Sequence, residues 1–273
     1  MKHYIFIHPD LGLGGAERLI IDAALAAKNN GNHVTMLTNH YDKNHCFEDT
    51  KDLNIIIKAS GWPRHIFGRF HAFFAYLKII LASIWLLFFS ECKFDVIITD
   101  QISLPNIVFK MLNFKSKKFK LLYYCHFPDQ LLCVYDKKRN FLKRFYRTPL
   151  DWLEMVSTGM ADAILVNSNF TKNIFRETFP KLNHKHLEVL YPSLKTELLD
   201  KTTDKGFSEN SFLKSTVKNE IQEDNIKEFQ KSINKKYIFL SINRYERKKN
   251  LKLALNSMIK LKELVGEDLW EER

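Results

Sequence analysis

The sequence YIFIHPDLGLGGAERLIIDAALAA, residues 4–27, combines three local patterns that decide the fold. An apolar run over 4–7 is typical of a buried strand, and the run rich in alanine and leucine after Arg18 favours an amphipathic helix. The loop between them contains glycines, which lack a Cβ atom and so let a ligand approach the backbone closely. Because a helix N-terminus favours anions, we predict a strand–loop–helix unit in which Gly14 and Gly15 face a phosphate.

The loop matches neither of the common phosphate-binding fingerprints. It lacks the third glycine of G-x-G-x-x-G, and it is not a G-x-x-x-x-G-K-[ST] loop. The alternative interpretation is a tight turn that only closes the strand–helix unit. The next predicted strand ends in LTNHY, residues 37–41, without the acidic residue that holds a ribose, so a nucleotide-dependent oxidoreductase is disfavoured.

Composition and charge narrow the class of protein and of partner. The 273 residues suffice for one large domain or two, and an apolar fraction of 45% is ordinary for a chain with a sizeable core. The net charge of +11 favours an anionic partner: a phosphate, an anionic membrane surface or nucleic acid. No nucleic-acid-binding motif is recognisable, so no nucleic-acid partner is expected. Four scattered cysteines without a C-x-x-C pair favour a reducing compartment and argue against a zinc site.

Short apolar runs alternate with helix-forming segments up to Pro192, which indicates an α/β fold with a doubly wound parallel sheet. The predicted strands cover residues 4–7, 32–38, 55–57, 94–100, 121–125, 163–168 and 187–192. Polar residues lie at the ends of three of them, namely Asp10, Asp100 and His126. Since ligands bind at the carboxyl ends of strands in such sheets, we predict that these three residues face one crevice. The alternative for His126 is a purely structural hydrogen bond.

Three local signals predict where helices begin and end. Gly31 stands where a glycine commonly follows a helix C-terminus. Pro149 is expected near the start of a helix, where proline is tolerated. Ser168 or Asn169 is expected to cap the helix that follows the strand at 163–168.

The most apolar segment of the chain covers residues 70–89, which the pattern predicts as a helix rich in aromatic residues. Lys78 interrupts it, and the apolar run that follows is too short to cross a bilayer. The helix is either buried in the α/β domain or lies in a membrane interface with its aromatic side chains inserted. We favour the second interpretation and predict that Leu81, Trp85 and Phe88 contact a membrane.

The composition changes after residue 197. Polar and charged residues dominate 198–236, which is typical of a linker or a surface insertion. A strand and an amphipathic helix are then predicted within 237–273. We therefore predict a Rossmann-like N-terminal domain at 1–197, a polar linker at 198–236 and, at 237–273, only the first βα unit of a second domain.

Several of these strings together resemble a known family, the retaining GT-B glycosyltransferases of family 4. Within that family the chain is most similar to the mannosyltransferases of the dolichol-linked oligosaccharide pathway. The strings are HPD (8–10), GGAER (14–18), DQ (100–101), YCHFPD (124–129), FLKR (141–144), TGMAD (158–162), LYPSL (190–194) and SINRYERKKN (241–250). The resemblance covers nearly the whole chain outside 198–236.

The resemblance implies two Rossmann-like domains with GDP-mannose as the donor substrate in the cleft between them. Gly14, Gly15, Arg244 and Lys249 match the residues that bind the donor diphosphate, and His126 matches a catalytic histidine that contacts the donor sugar. The positive charge of Arg244 and Lys249 would stabilise the leaving diphosphate, so no metal or other cofactor is expected. The acceptor-side candidates are Asp10, Asp100 and Asp129.

The resemblance also implies a setting and partners. The acceptor would be a dolichol-diphosphate-linked oligosaccharide, mannosylated in alpha-1,3 and alpha-1,6 linkages on the cytosolic face of the endoplasmic reticulum membrane. A complex with other early mannosyltransferases of that pathway is a further expectation. The family's paired glutamates, which hold the donor, have no counterpart in residues 237–273. The alternative function is therefore a catalytically inactive, membrane-associated fragment that acts as a binding module.

Overall fold

The computed structural model describes residues 1–63, 71–90, 92–116, 119–132, 141–193, 239, 241, 243 and 249–266, with only the backbone described at 71–72, 112–116 and 141–147. The chain divides into two compact units, Met1–Leu194 and Lys195–Arg273. The domain bounds predicted from the sequence stay a prediction, because the linker at 198–236 lies outside the described residues.

The first unit is built on one parallel sheet. Its strands are β1 (His3–Asp10), β2 (His33–His40), β3 (Asn54–Ile57), β4 (Val96–Asp100), β5 (Lys120–Cys125), β6 (Ala163–Val166) and β7 (Leu187–Val189). They lie in the order β3-β2-β1-β4-β5-β6-β7, and every neighbouring pair is parallel. Winding therefore changes direction between β1 and β4, which confirms the predicted α/β fold class, a doubly wound Rossmann-like sheet.

Helices connect the strands of this sheet. They are α1 (Gly15–Asn29), α2 (His71–Phe88), α3 (Pro105–Ser116), α4 (Asp129–Leu132), α5 (Phe141–Gly159) and α6 (Asn169–Thr178). Two short 3₁₀ helices cover Glu48–Asp52 and Pro180–Leu182.

Alternating side chains of the strands pack on opposite faces of the sheet. In β1, Phe6 packs with α1 residues such as Ile20, whereas Ile5 and Ile7 pack on the other face with α2 residues such as Ile79. Burial on both faces explains why the central strands read as continuous apolar runs. It also fixes the direction of the side chains that follow at the strand ends, because the alternation continues.

Two of the local helix signals are confirmed and one is wrong. Gly31 follows the C-terminus of α1 with φ of +77°, a left-handed conformation that favours glycine, and the Ser168 hydroxyl accepts the N–H of Thr171 at 3.1 Å as the cap of α6. The predicted helix start at Pro149 is wrong, since α5 begins at Phe141 and contains the proline. Apolar residues recur every three to four positions from 141 to 153, so one amphipathic face continues across the missing N–H of the proline.

Helix α2 has one face against the sheet and one face toward solvent. Phe74, Lys78, Ile79, Ala82, Ser83 and Leu86 are buried. Among the predicted membrane contacts, Leu81 is half-buried, Trp85 packs partly against the core with Lys58 Nζ 4.0 Å from its ring centre, and Phe88 is 62% exposed. None of the helices in the described part of the chain has the length and hydropathy needed to cross a membrane. The membrane contact stays a prediction.

The second unit contributes one described helix, α7 (Leu251–Val265), which follows Lys249 and Asn250. Apolar side chains of α7, such as Leu255 and Ile259, are exposed. The predicted strand at 237–242 falls mostly outside the described residues, and Arg244 lies outside them as well.

Candidate functional site

The strand order brings the ends of β1 and β4 together at the point where the winding reverses. Ile7 of β1 pairs with Thr99 of β4, so His8 and Asp100 follow side by side. His8 shares the face of Phe6, and Asp100 shares the face of Ile98, because side chains alternate along a strand. Both side chains therefore point to the side of the sheet that α1 covers.

Asp100 is the centre of a buried polar cluster, which we call the histidine–aspartate cluster and define as Glu17, His8, Asp100 and His126. The Asp100 side chain is fully buried. Its Oδ2 accepts a hydrogen bond from Nδ1 of His8 at 2.6 Å, and its Oδ1 lies 2.8 Å from Nε2 of His126. Burial alone would raise the pKa of Asp100, but the two histidines outweigh it and lower that pKa.

The backbone after Asp100 also serves this carboxylate. The N–H of Gln101 donates to Oδ1 of Asp100 at 2.9 Å. Gln101 adopts φ of +62°, a left-handed conformation that costs energy for a residue other than glycine. Its carbonyl accepts the hydroxyl of Tyr123 at 3.1 Å, which helps to hold this turn in place.

His8 is a buried cation at neutral pH. Burial favours the neutral ring and works to lower its pKa, but the hydrogen bond to Asp100 and the nearby Glu17 carboxylate raise that pKa to about 9. Nε2 of His8 lies 3.9 Å from Oε1 of Glu17. The adjacent imidazolium lowers the pKa of Glu17, so both groups are charged near pH 7.

His126 follows β5 and is the partly exposed member of the cluster, with 21% of its side chain accessible. Its ring lies against Tyr124, with the ring centres 4.8 Å apart. The amide Nδ2 of Asn167 donates to the His126 carbonyl at 3.1 Å and fixes the backbone there. The distance to Asp100 is that of an ion pair, although the ring nitrogen is not aligned for a regular hydrogen bond.

The glycine loop lies directly beside this cluster. Gly14 precedes α1 with φ of −146°, which any residue adopts, and no side chain caps the helix there. A Cβ on Gly14 would collide with the Glu17 carboxylate, whereas a Cβ on Gly15 would meet no described atom within 4 Å. Gly15 therefore leaves open space at a helix N-terminus, which is the property that anion binding needs.

The structure thus brings Asp100 and His126 together and places Gly14 and Gly15 beside them. Asp10 lies at the same edge, at the end of β1 and opposite His40 of β2. Asp129 begins α4, where its Oδ2 accepts the hydroxyl of Tyr76 at 2.8 Å. Lys249 belongs to the second unit, so its place relative to this site is not described.

Glu154 of α5 supports the segment that follows His126. Its carboxylate oxygens accept the N–H groups of Asp129 at 2.6 Å and Gln130 at 3.1 Å. Burial, with the Asp129 carboxylate nearby, raises the pKa of Glu154 to about 7. The carboxylate therefore anchors the start of α4 to α5.

Sequence reasoning missed His8, Glu17 and Glu154. The signal for His8 was available, because the alternation that buries Phe6 places His8 on the same face. Glu17 occupies the first turn of α1, a common position for a carboxylate. No local pattern identifies Glu154, since its partners are 24 and 25 residues away in the sequence.

The sequence of this chain is similar to those of known glycosyltransferases. The family described as Glycosyltransferase Family 4 matches residues 13–198. "Alpha-1,3/1,6-mannosyltransferase ALG2" of Mus musculus is 40% identical over 278 residues, covering 98% of this chain and 59% of the relative. The protein of the same name from Homo sapiens is 42% identical over 269 residues, covering 98% and 58%. That from Dictyostelium discoideum is 43% identical over 254 residues, covering 92% and 56%.

The chain spans a little over half the length of these curated relatives. Among solved structures, the apo form of lipopolysaccharide outer core galactosyltransferase WaaB has a TM-score of 0.45 at 15% identity, covering 71% of this chain and 46% of its own; this likeness is too weak to support an argument. The family match covers more than half of the chain and confirms the resemblance inferred from the motifs. The chain belongs to glycosyltransferase family 4.

Proposed function

We propose that this chain is part of a retaining mannosyltransferase that moves mannose from GDP-mannose to a dolichol-diphosphate-linked oligosaccharide, in alpha-1,3 and alpha-1,6 linkages. The observation that carries the proposal is the histidine–aspartate cluster beside an open glycine loop at the switch point of the sheet. The relatives named alpha-1,3/1,6-mannosyltransferase, at 40–43% identity, support the choice of sugar and linkages.

The glycine loop suits the donor diphosphate. Transfer breaks the bond between the anomeric carbon of the sugar and a phosphate oxygen, and negative charge develops on the leaving diphosphate. The first N–H groups of α1 have no intrahelical acceptor, and the N-cap residue Gly14 makes no side-chain bond to them, so this helix N-terminus favours that charge. In the proposal Arg244 and Lys249, which match donor-diphosphate residues of the family, supply positive charge to the diphosphate, and no metal is required.

His126 suits the donor sugar. It is the partly exposed end of the cluster, and Asp100 orients its ring from the buried side. A carboxylate that fixes an imidazole in this way lets the ring hold a hydroxyl group in one position. In the proposal His126 is the catalytic residue that contacts the mannose, and Asp10 and Asp129 lie on the acceptor side.

A membrane-bound acceptor requires a surface that meets lipid. Helix α2 exposes Phe73 and Phe88, and the next residue, Phe89, is also exposed. The net charge of +11 favours an anionic leaflet and a diphosphate-linked lipid. We propose that the protein works at the cytosolic face of the endoplasmic reticulum membrane, in a complex with other early mannosyltransferases of the pathway.

The test is a transfer assay with the 273-residue chain in detergent micelles that contain a dolichol-diphosphate-linked oligosaccharide. Radiolabelled GDP-mannose should give a mannosylated lipid whose new bond is cleaved by an alpha-mannosidase, and radiolabelled UDP-glucose should give no product. Transfer from UDP-glucose in preference to GDP-mannose would contradict the proposed donor. Binding of the lipid without transfer would favour the alternative function, a catalytically inactive binding module.

A further inference from the structure

A buried nitrogen at the glycine loop lacks a hydrogen-bond partner. Nε2 of His8 is inaccessible to solvent and makes no hydrogen bond within the described residues, although Nδ1 of the same ring bonds Asp100 at 2.6 Å. Leaving a buried donor unsatisfied is costly, so such a group calls for an explanation. Oε1 of Glu17 lies 3.9 Å from this nitrogen, which is beyond hydrogen-bond distance.

The Glu17 carboxylate lies where an anion would bind. Glu17 is in the first turn of α1, and its carboxylate folds back beside Gly14, close enough that a Cβ on Gly14 would collide with it. Four features meet at this point: the helix N-terminus, the glycine loop, a His8 nitrogen without a hydrogen-bond partner and the Glu17 carboxylate. The His8 side chain is fully buried, whereas 20% of the Glu17 side chain is accessible to solvent, so the carboxylate can turn outward.

We propose that His8 is a further diphosphate-binding residue, and that Glu17 is an internal substitute anion which the diphosphate of the nucleotide donor displaces. When the Glu17 side chain turns outward, the N–H at Nε2 of His8 donates to a phosphate oxygen at the α1 N-terminus. This inference rests on the proposed donor site. It adds a buried cation, His8, to a loop in which the sequence analysis assigned only Gly14 and Gly15 to the diphosphate.

The exchange keeps the buried imidazolium paired throughout. In the free chain, Glu17 and Asp100 both offset the charge of His8. In the bound state a phosphate oxygen replaces Glu17, while Asp100 continues to bridge His8 and His126. Asp100 contacts both rings. A diphosphate bound at His8 is therefore linked to His126, the residue proposed to contact the sugar, through the single side chain of Asp100.

Anion binding by Glu17→Gln tests the displacement. Inorganic pyrophosphate serves as the probe in calorimetric titrations of the 273-residue chain, the Glu17→Gln variant and a control, Glu48→Gln, whose side chain is 89% exposed. Since Gln removes the competing charge at nearly constant size, pyrophosphate should bind Glu17→Gln at least fivefold more tightly than the unchanged chain. Glu48→Gln loses the same charge and should stay within twofold. Equal affinities for the two variants, or no binding, would overturn the proposal.

A second test, by NMR, uses the unchanged chain and so does not require that a variant folds. With ¹⁵N-labelled histidine, pyrophosphate should move the Nε2 signal of His8 and leave that of the exposed His186 in place. An unmoved His8 signal at saturating pyrophosphate would overturn the proposal. Pyrophosphate contains neither sugar nor acceptor, so a chain that binds it as expected but transfers no mannose would refute the proposed enzyme and keep the anion site.

Discussion

At the scale of single residues, one carboxylate organises the candidate site. Asp100 is fully buried and reaches both His8 and His126, so each ring is held by the same group. A buried carboxylate is stable only when it is paired and hydrogen-bonded, and here two rings and the N–H of Gln101 supply the partners. A movement of Asp100 would therefore shift both His8 and His126.

The charge of His8 predicts how stability depends on pH. Its pKa is about 9 in the folded chain, against 6.5 for an ordinary histidine, because Asp100 and Glu17 face the ring. The protonated ring therefore stabilises the fold fully below pH 6.5, and this contribution, about 3 kcal/mol, is lost as the pH rises through 9. The pKa of Glu154 is raised from 4.5 to about 7, so the folded chain holds this proton more tightly than the unfolded chain, and stability falls as the pH rises from 4.5 to 7.

We expect urea unfolding to show this loss as a difference between two proteins. Near pH 6, the unfolding free energy of the unchanged chain should exceed that of His8→Asn. By pH 10 this difference should be smaller by most of the contribution of about 3 kcal/mol from the charged ring. The control His186→Asn alters a largely exposed ring and should show no such gap. A gap that stays constant over the same range would contradict a charged His8.

Gly15 permits a substitution that separates stability from binding. A Cβ there meets no described atom within 4 Å, so Gly15→Ala should leave the melting temperature unchanged or slightly higher, since alanine favours a helix over glycine. The added methyl group stands in the space proposed for the donor diphosphate and should weaken GDP-mannose binding about tenfold. The control Gly61→Ala also points into open space, in a turn, and should bind normally. Equal binding by the two variants would contradict a phosphate site at Gly15.

At the scale of elements, α5 positions the short helix α4 through one carboxylate. Glu154 accepts the N–H groups of Asp129 and Gln130, and glutamine would offer one acceptor oxygen for the two donors. We expect Glu154→Gln to speed hydrogen exchange at those two amides about tenfold, since an unsatisfied buried donor costs about 1–3 kcal/mol. Mass spectrometry of the peptide after β5 measures it, with the exposed Glu177→Gln as control. Unchanged exchange would show that α4 is held by other contacts.

Helix α2 predicts a second element-scale effect, on membrane binding. Phe88 is 62% exposed, whereas Trp85 packs partly on the core, so Phe88 is the cleaner residue to change. Phe88→Asp should lower partitioning to liposomes that contain phosphatidylinositol about tenfold, because a buried phenyl ring contributes about 1.5–3 kcal/mol. Phe170→Asp removes an equally exposed ring from α6 and is the control. If both variants partition equally, α2 is not the membrane face.

Elements were predictable where one local rule governs them. The apolar runs identified each strand that the structure describes in the first unit, and they are longest in central strands such as β4, which is buried on both faces. Gly31 and Ser168 follow rules of helix ends that depend only on neighbours in the sequence. Pro149 does not follow such a rule, because α5 continues through the proline. The preference of proline for helix starts takes no account of the amphipathic face that extends on both sides of it.

At the scale of the whole molecule, the strand order explains why Asp100 and His126 could be predicted as site residues and why His8 and Glu17 were missed. Parallel strands end at one edge, so Asp10, Asp100 and His126 were expected to face one crevice. Asp100 and His126 do lie side by side, but the Asp100 side chain is fully buried and so faces no crevice. His8 and Glu17 complete the cluster through the order β2-β1-β4, which places β1 beside a strand that comes some 90 residues later. The alternation along β1 indicates which face His8 takes, but its pairing with Asp100 depends on the assembled sheet and not on neighbours in the sequence.

We propose that His126 of the histidine–aspartate cluster acts in mannosyl transfer, and a comparison of two histidine variants is the sharpest test of this role. Mannose transfer from GDP-mannose to the dolichol-diphosphate-linked acceptor is measured for the unchanged chain, His126→Ala and His186→Ala, with the melting temperature of each as the check on folding. We expect His126→Ala to lower the rate about 100-fold while its melting temperature stays unchanged, because it removes one group that acts on the reacting sugar. His186, exposed and paired with Glu188, should be dispensable. A folded His126→Ala variant that transfers mannose as fast as His186→Ala would show that His126 has no part in catalysis.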